Sequence, residues 1–161
     1  MSFNSPYPLV FGGGVSMVTA TLGANDPEVG TRVNVAGRDY VFVYNEADSQ
    51  ISPGYGAVPN SAATGMSVTV TAATSADCVI GVCRNATLTT ATYGWLVTRG
   101  VTPVQMGATS ASVAARGLIE IGANGVFVAT SLTTGNKAPA VGVALAAIVS
   151  SASGNAYISC F

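Results

Sequence analysis

Short apolar segments separated by Gly, Pro, Asn and Ser run along most of this 161-residue chain and favour β-strands over helices. Residues 66–71 alternate apolar and hydroxyl side chains with a period of two, which predicts a half-buried strand. Residues 38–44 are dense in aromatic and β-branched side chains, the types that suit a pleated surface. No stretch keeps a helical period over three turns. We therefore expect an all-β fold.

The other predicted strands lie in the C-terminal half of the chain. They are residues 78–83, 93–100, 101–106, 117–121, 125–128, 140–149 and 155–161. Asn124 and Gly125 predict a tight hairpin turn, because both tolerate positive φ angles, and Gly100 predicts a bend or bulge. Residues 140–149 are rich in Ala, so a helix competes with a strand there, but their Val, Ile and Gly favour the strand. About eight to ten short, antiparallel strands predict a β-sandwich or barrel.

Residues 1–30 differ from the predicted β body, which spans residues 31–161. Pro and Gly interrupt this segment, yet apolar side chains recur in it. A disordered tail is usually polar, so this pattern indicates an extended arm that packs against another surface. The candidate contact residues of the arm are Phe3, Tyr7, Leu9, Val10 and Phe11. A lead-in that packs on its own domain explains the same pattern, and both interpretations stay open here.

Charged residues make up only 8% of the chain, and the net charge is −1. Because like-charge repulsion normally keeps proteins apart, such a surface favours coverage by partner proteins. The alternative is a surface kept soluble by hydroxyl and amide groups. The six basic residues are scattered, so we expect no nucleic-acid partner. The apolar stretches are too short for a membrane span, and the N-terminal residues lack signal-peptide features, so we expect synthesis in a reducing cytoplasm.

The inventory of reactive side chains argues against catalysis. Histidine is absent, which removes the commonest general base and metal ligand. The three cysteines lack regular spacing and are expected to be buried free thiols: Cys78, Cys83 and Cys160. Glu46 and Asp48 lie in a predicted polar loop at residues 45–60, where solvated carboxylates are expected. We therefore expect no enzymatic activity, no catalytic residue, no metal and no cofactor.

Residues 93–104 resemble a motif of small phage head proteins, in which an aromatic-Gly-Trp strand runs to a Gly and then into an apolar strand. Segments similar to 117–121, 141–147 and 156–161 follow in the same order. Residues 78–161 thus resemble the capsid decoration (cement) proteins of tailed phages. The resemblance implies a β-barrel or sandwich body, self-association as a homotrimer, and docking on the outside of the major capsid protein lattice.

These observations predict a structural protein on the capsid surface of a virion, made in the host cytoplasm, that bridges neighbouring capsomers. Trp95 joins the arm residues as a candidate contact, because a strand Trp favours a core or subunit contact over a sugar platform. Candidate interfacial ion pairs involve Arg38, Asp39, Arg99 and Arg116. Two alternatives remain: a host-surface or carbohydrate-binding module that uses Trp95, Tyr55 and residues 45–60, and a minor tail or head-completion component.

Overall fold

Eleven β-strands and one 3-10 turn form the regular structure of the computed structural model, which describes residues 18–22, 26–46, 49–60, 66–69, 78–84, 86–108, 110–130 and 140–160. The strands are β1 (Val18–Thr19), β2 (Arg32–Val35), β3 (Arg38–Asn45), β4 (Gly56–Pro59), β5 (Ser67–Thr69), β6 (Gly81–Cys83), β7 (Thr92–Gln105), β8 (Leu118–Ile121), β9 (Phe127–Ala129), β10 (Gly142–Ala144) and β11 (Ser153–Ser159). The predicted all-β barrel or sandwich is confirmed. Within these described ranges, nothing forms a helix long and apolar enough to cross a membrane.

Five of the strands close into a barrel, in the order β3, β5, β4, β6, β7 and back to β3. Every pairing in this ring is antiparallel except that of β3 with β5, which is parallel. The exception follows from the odd number of strands. Strand direction alternates between antiparallel neighbours, so a ring of five cannot close without one parallel pair. The predicted antiparallel pairing therefore holds for every other pair of the barrel.

Strand β7 belongs both to the barrel and to a second group of strands. Its first part pairs with β3 and β6, whereas residues 99–105 pair with β11. The register with β3 shifts at Thr98, which becomes an extra residue on β7. Such a bulge bends a strand, and Gly100 follows it with a φ angle of 115°. The two strands predicted around Gly100 are therefore one strand of 14 residues, because the bulge redirects β7 without ending its ladder.

The second group consists of β11, β10, β8 and β9, which continue in this order from β7 with antiparallel pairing. Strand β9 returns to the end of β7 through a parallel bridge between Met106 and Phe127. The Gly107 N–H donates a hydrogen bond to the Phe127 carbonyl at 2.9 Å. These four strands and β7 thus form a second, less complete ring. The ring has five strands, so the bridge that closes it between β9 and the end of β7 is again parallel.

Two hydrophobic cores lie within this arrangement. The smaller core takes at least one residue from each barrel strand: Val41, Val43, Ile51, Ala57, Val68, Cys83, Leu88 and Leu96. The larger core joins residues of the second group, such as Ile119 and Phe127, to outward-facing barrel residues such as Tyr40 and Val82. At Gly56, an added Cβ would lie only 3.0 Å from the Phe127 ring. The second group of strands therefore packs directly on the outside of the barrel.

Three local predictions can be compared with the described residues. The hairpin of β8 and β9 is confirmed, and its turn places Asn124 at φ 56° and Gly125 at φ 76°. The predicted loop at 45–60 contains β4, whose pairing with β5 and β6 overrides its Gly and Pro content. The predicted strand at 140–149 shortens to Gly142–Ala144, because the chain then turns so that Ile148 can bridge to the segment before β8.

Candidate protein-protein interface

Four neighbouring strands place apolar side chains on one solvent-facing surface. Tyr157 of β11 is the direct partner of Val101 on β7 and of Val143 on β10. Val143 is in turn the direct partner of Leu118 on β8. Direct partners point to the same face of a sheet. Val101 is 36% exposed, Tyr157 39% and Leu118 44%, and Val143 is half-buried. We call these four residues the solvent-facing row.

Three of these four strands also carry apolar side chains on their inner face beside the row. The side chains next to it in sequence, such as Ile119, Ala144 and Ile158, point inward and are buried in the larger core. Leu145, the first residue after β10, extends the apolar surface outside and is half exposed. An antiparallel sheet with one face in water normally alternates apolar and polar residues. A cluster of apolar residues on the water side is therefore a candidate contact surface.

Charged side chains flank the solvent-facing row on its β7 edge. The Arg99 Nε–H donates a hydrogen bond to the Tyr157 hydroxyl at 3.1 Å, and the Arg38 Nε–H donates to the Val101 carbonyl at 2.6 Å. The hydrogen bond to Tyr157, and then the charges of Tyr157 and Asp39, raise the pKa of Arg99. Three of the four charged residues predicted for ion pairs thus gather at this edge. The fourth, Arg116, is exposed in the turn before β8.

Trp95 lies half-buried on β7, away from the solvent-facing row, in a ladder of aromatic rings. It faces its direct partner Phe42 with a centroid distance of 5.0 Å and an interplanar angle of 55°. The next pair of the ladder, Tyr44 and Tyr93, has a centroid distance of 4.6 Å. Phe42 is fully buried, and Trp95 packs against the larger core. Its role as a partner-binding residue stays a prediction.

The described residues nearest the N-terminus run beside this aromatic ladder. Val18 of β1 pairs with Gly94, the neighbour of Trp95. Farther along, the Gly30 N–H donates a hydrogen bond to the Phe42 carbonyl at 2.7 Å. The predicted contact residues of the arm lie outside the described residues: Phe3, Tyr7, Leu9, Val10 and Phe11. Residues 1–17 therefore join the described structure at β1, which pairs with β7 beside Trp95.

A cavity of about 420 Å³ opens where the end of β7 meets the turn between β8 and β9. Its lining includes Tyr55, Gln105, Asn124 and Ser151. The Gln105 amide is engaged within the protein: its Nε2 donates to the Ser151 carbonyl at 3.0 Å, and its Oε1 accepts from the Ser153 hydroxyl at 2.6 Å. Tyr55 packs against the barrel core, whereas Trp95 packs against the larger one. The two rings of the predicted glycan site thus belong to different clusters.

Two of the described carboxylates, those of Asp39 and Glu46, accept hydrogen bonds from neighbouring side chains. An Asp39 carboxylate oxygen accepts a hydrogen bond from the Asn34 amide at 2.6 Å, and a Glu46 oxygen accepts from the Ser67 hydroxyl at 2.7 Å. Asp48 lies outside the described residues. Among the residues that the structure describes, no group of three or more Cys, Asp or Glu side chains could hold a metal ion.

The three cysteines are free thiols with different environments. Cys83 is buried and Cys160 is half-buried, but Cys78 is exposed, so the prediction of a buried thiol is wrong for Cys78. Cys78 precedes β6 and is outside its ladder, whereas the Cys83 thiol donates to the Ala86 carbonyl at 2.9 Å. Burial raises the pKa of Cys83 to about 11 and that of Cys160 to about 12, from an ordinary value of 9.0.

We expect a maleimide reagent at pH 8 to label one thiol quickly and the other two only after unfolding. A raised pKa keeps Cys83 and Cys160 protonated, and burial blocks access, so neither offers a thiolate to the reagent. Mass spectrometry of the native protein over time measures the number of labels. The Cys78→Ser variant should lose the fast label. Equal labelling rates for all three thiols in the native protein would contradict these environments.

Sequence reasoning overlooked the solvent-facing row, although a signal for it exists. Residues 118–119 and 157–158 are consecutive apolar pairs inside predicted strands, so one member of each pair must point away from the core. An apolar residue on the water side of two separate strands predicts a surface cluster only if those strands are neighbours, and that neighbourhood is set by the topology.

Comparison of the sequence with protein-family models and with curated proteins gives no match. Comparison with solved structures gives a match in fold to the N base of the head fiber protein gp8.5 of bacteriophage phi29. The match has a TM-score of 0.55 and 13% sequence identity, and it covers 74% of this chain and 94% of that chain. This chain therefore shares its fold with the base of a phage head fiber.

Proposed function

We propose that this chain is a structural protein of a phage virion that binds the outside of the capsid lattice and stabilises it by bridging neighbouring capsomers. The observation that carries the proposal is the fold shared with a head fiber base over 74% of the chain. The resemblance of residues 93–104 to phage decoration proteins supports the same role. The proposal includes the major capsid protein as partner, self-association as a homotrimer, and a location on the capsid surface without enzymatic activity.

The surface chemistry of the chain supports protein contacts. Only 8% of its residues are charged, and the solvent-facing row adds apolar side chains that water does not favour. Contact surfaces are depleted in charged side chains at their centres and enriched in aromatic ones. A weak contact for each copy is sufficient on a lattice, because many linked contacts act together.

The arm is proposed to reach from the β body to the capsid or to a sister subunit, with residues 1–30 as the arm and residues 31–161 as the body. Residues 1–17 join the described structure beside Trp95, where β1 pairs with β7. The apolar side chains of the arm can then contribute, together with the aromatic ladder, to one contact with the capsid or a sister subunit. Trp95 is included in this proposal, since its half-buried ring lies next to the attachment point.

Deletion of residues 1–17 is expected to leave a folded body and abolish binding to capsids that lack the protein. The deletion spares β1, so the pairing of Val18 with β7 is retained. Co-sedimentation with purified particles measures binding, and circular dichroism checks the fold. In the full-length chain, changing Phe3, Tyr7 and Phe11 to Ser should also abolish binding, whereas changing Ser2, Asn4 and Ser5 to Ala should not. Unchanged occupancy of the deleted chain would refute the role of the arm.

The copy number per virion separates the proposed role from a minor tail or head-completion role. Decoration of a lattice requires a copy number that scales with the number of capsomers, whereas a tail or a single vertex takes about a dozen copies or fewer. Quantitative gel densitometry of purified virions measures this number. A count of a dozen or fewer would reject lattice decoration.

A second candidate function is binding of host-surface carbohydrate, which the cavity at the end of β7 favours. Its volume of about 420 Å³ lies in the range of small-ligand pockets, and Tyr55 supplies an aromatic ring for stacking against a sugar. Glycan-array binding by the isolated protein, lost on Tyr55→Ala but kept on Trp95→Ala, would place the site in this cavity. Loss on Trp95→Ala alone would favour the aromatic ladder instead.

A further inference from the structure

We propose that the cavity at the end of β7 binds the neutral terminal sugar of a glycan, with Tyr55 stacking on the sugar ring and the side chains of Asn124 and Ser151 bonding to its hydroxyls. The inference rests on the second candidate function, carbohydrate binding, and specifies its ligand class and its contacts. The cavity of about 420 Å³ lies at the small end of ligand pockets, which cover roughly 300–1,000 Å³. This size suits one end of a glycan.

The walls of the cavity are held in place by the end of β7. The Gln105 N–H donates a hydrogen bond to the Gly54 carbonyl at 2.8 Å, which fixes the turn that carries Tyr55. The Gln105 side chain donates to the Ser151 carbonyl at 3.0 Å, which fixes a second wall. The third wall, the turn between β8 and β9, is tied to the same strand end by the parallel bridge that closes the second ring. A site whose walls are already ordered loses little conformational entropy on binding.

Two polar side chains at the cavity keep their hydrogen-bonding capacity for a ligand. Within the part of the chain that the structure describes, no hydrogen bond engages the Asn124 amide or the Ser151 hydroxyl. An amide side chain and a hydroxyl can each donate and accept. A sugar hydroxyl has the same double capacity, so it can bond to either group whichever way the ligand is turned.

The backbone at these two residues is unusual for residues other than glycine. The φ angles of Asn124 and Ser151 are 56° and 60°. Asn tolerates this region, whereas Ser adopts it rarely, and such conformations cluster at binding sites. Both residues are exposed, so neither side chain is needed in a core. Glycine would fit both turns with less strain, so the presence of polar side chains there is better explained by binding than by folding.

The lining of the cavity selects a neutral ligand. None of the described residues that line it is charged. A sugar carboxylate would lose hydration there without a cation to compensate. The lining also includes the apolar side chains of Met106 and Val126, besides the aromatic ring of Tyr55. A neutral sugar matches this combination, because its ring offers C–H groups to apolar and aromatic surfaces and its hydroxyls bond to polar groups.

An NMR titration of the isotope-labelled full chain tests the inference. The neutral probes are the methyl glycosides of glucose, galactose and N-acetylglucosamine, and the acidic ones are those of glucuronic and galacturonic acid. We expect at least one neutral probe to shift the amide signals of Tyr55, Asn124 and Ser151, with a dissociation constant in about the millimolar range. The acidic probes should shift none of them. If no neutral probe shifts these signals, or the acidic probes bind equally well, the inference is overturned.

Glycine substitutions test the two polar contacts without disturbing their turns. Asn124→Gly and Ser151→Gly should each raise the dissociation constant of the bound probe about fivefold, because each removes one hydrogen bond. Glycine accepts the positive φ angle at both positions. Ser150→Gly is the matched control, because Ser150 is an exposed turn residue next to Ser151 that does not line the cavity. Equal effects of Ser150→Gly and Ser151→Gly would overturn the assigned contacts.

Substitutions of the aromatic residue test the stacking. Tyr55→Ala should abolish detectable binding, whereas Tyr55→Phe should keep the dissociation constant within about threefold, because the ring remains. Tyr55 also packs against the barrel core, so circular dichroism checks that each variant folds. Trp95→Ala should leave binding unchanged, since Trp95 belongs to the aromatic ladder. Binding that is lost on Trp95→Ala and kept on Tyr55→Ala would contradict a site in this cavity.

The inference and the proposed functions fail in different ways. A chain that decorates capsids but binds no neutral sugar overturns the inference and leaves the capsid role standing. A chain that binds glycans through Trp95 alone overturns the inference but leaves carbohydrate binding standing. A chain that binds a neutral sugar in the cavity but does not bind capsids supports the inference and rejects the capsid role.

Discussion

Replacing Phe127 with alanine is expected to lower the free energy of unfolding by about 3–5 kcal/mol, the usual range for removing a fully buried Phe. Phe127 is fully buried in the larger core. It also forms the bridge that returns β9 to Met106 at the end of β7, and its ring reaches toward Gly56 of the barrel. The truncated side chain would therefore leave a cavity where three parts of the fold meet.

Thermal and urea unfolding measure the effect of Phe127→Ala. For a chain of this size, the expected loss corresponds to a fall in melting temperature of about 6–20 °C. The matched control is Val128→Ala on the same strand, because Val128 is only half-buried and points to the opposite face. We expect the control to cost less than about 1.5 kcal/mol. Equal losses for the two variants would mean that the larger core does not depend on Phe127.

The second large effect is expected for Asn45→Ala, which should lower the free energy of unfolding by about 2–3 kcal/mol. Asn45 ends β3 and is fully buried. Its amide nitrogen donates to the carbonyls of Ser49, Leu88 and Thr89 at 3.1, 3.0 and 3.1 Å. This side chain therefore ties the segment after β3 to the segment before β7. Alanine would remove all three of these hydrogen bonds, which is costly wherever water cannot replace them, although the Leu88 carbonyl keeps the Ile51 N–H and the Thr89 carbonyl keeps the Thr92 hydroxyl.

Denaturant unfolding measures the loss, and hydrogen exchange shows where it arises. Exchange should accelerate at the backbone amides of Ile51 and Leu88, which bond to each other's carbonyls at 2.9 Å close to Asn45. Asn34→Ala is the control, because the Asn34 amide also donates a hydrogen bond, to the Asp39 carboxylate, but is exposed. Its removal should change stability by less than about 0.5 kcal/mol. An Asn45 variant as stable as the control would show that the buried amide is dispensable.

Much of the candidate contact surface escapes sequence reasoning for a physical reason. The candidate residues Phe3, Tyr7, Leu9, Val10, Phe11 and Trp95 come from an apolar, interrupted segment and from one aromatic strand, which are both local patterns. The solvent-facing row combines residues from strands that are up to 56 positions apart in sequence, from Val101 to Tyr157. Only the pairing of β7, β11, β10 and β8 makes them neighbours. The charged residues Arg38, Asp39 and Arg99 meet at its edge for the same reason.

The sequence by itself determines the all-β class, the approximate positions of most strands, the turn at Asn124 and Gly125, and the shortage of charge. These properties depend on side-chain periodicity, on backbone preferences of single residues and on composition, which need no knowledge of distant contacts. Only the tertiary structure decides the closure of the barrel with a parallel pair, the continuity of β7 through its bulge, the strand at Gly56–Pro59 and the exposure of the solvent-facing row. Each of these depends on which strands become neighbours, and strand pairing joins residues far apart in the chain.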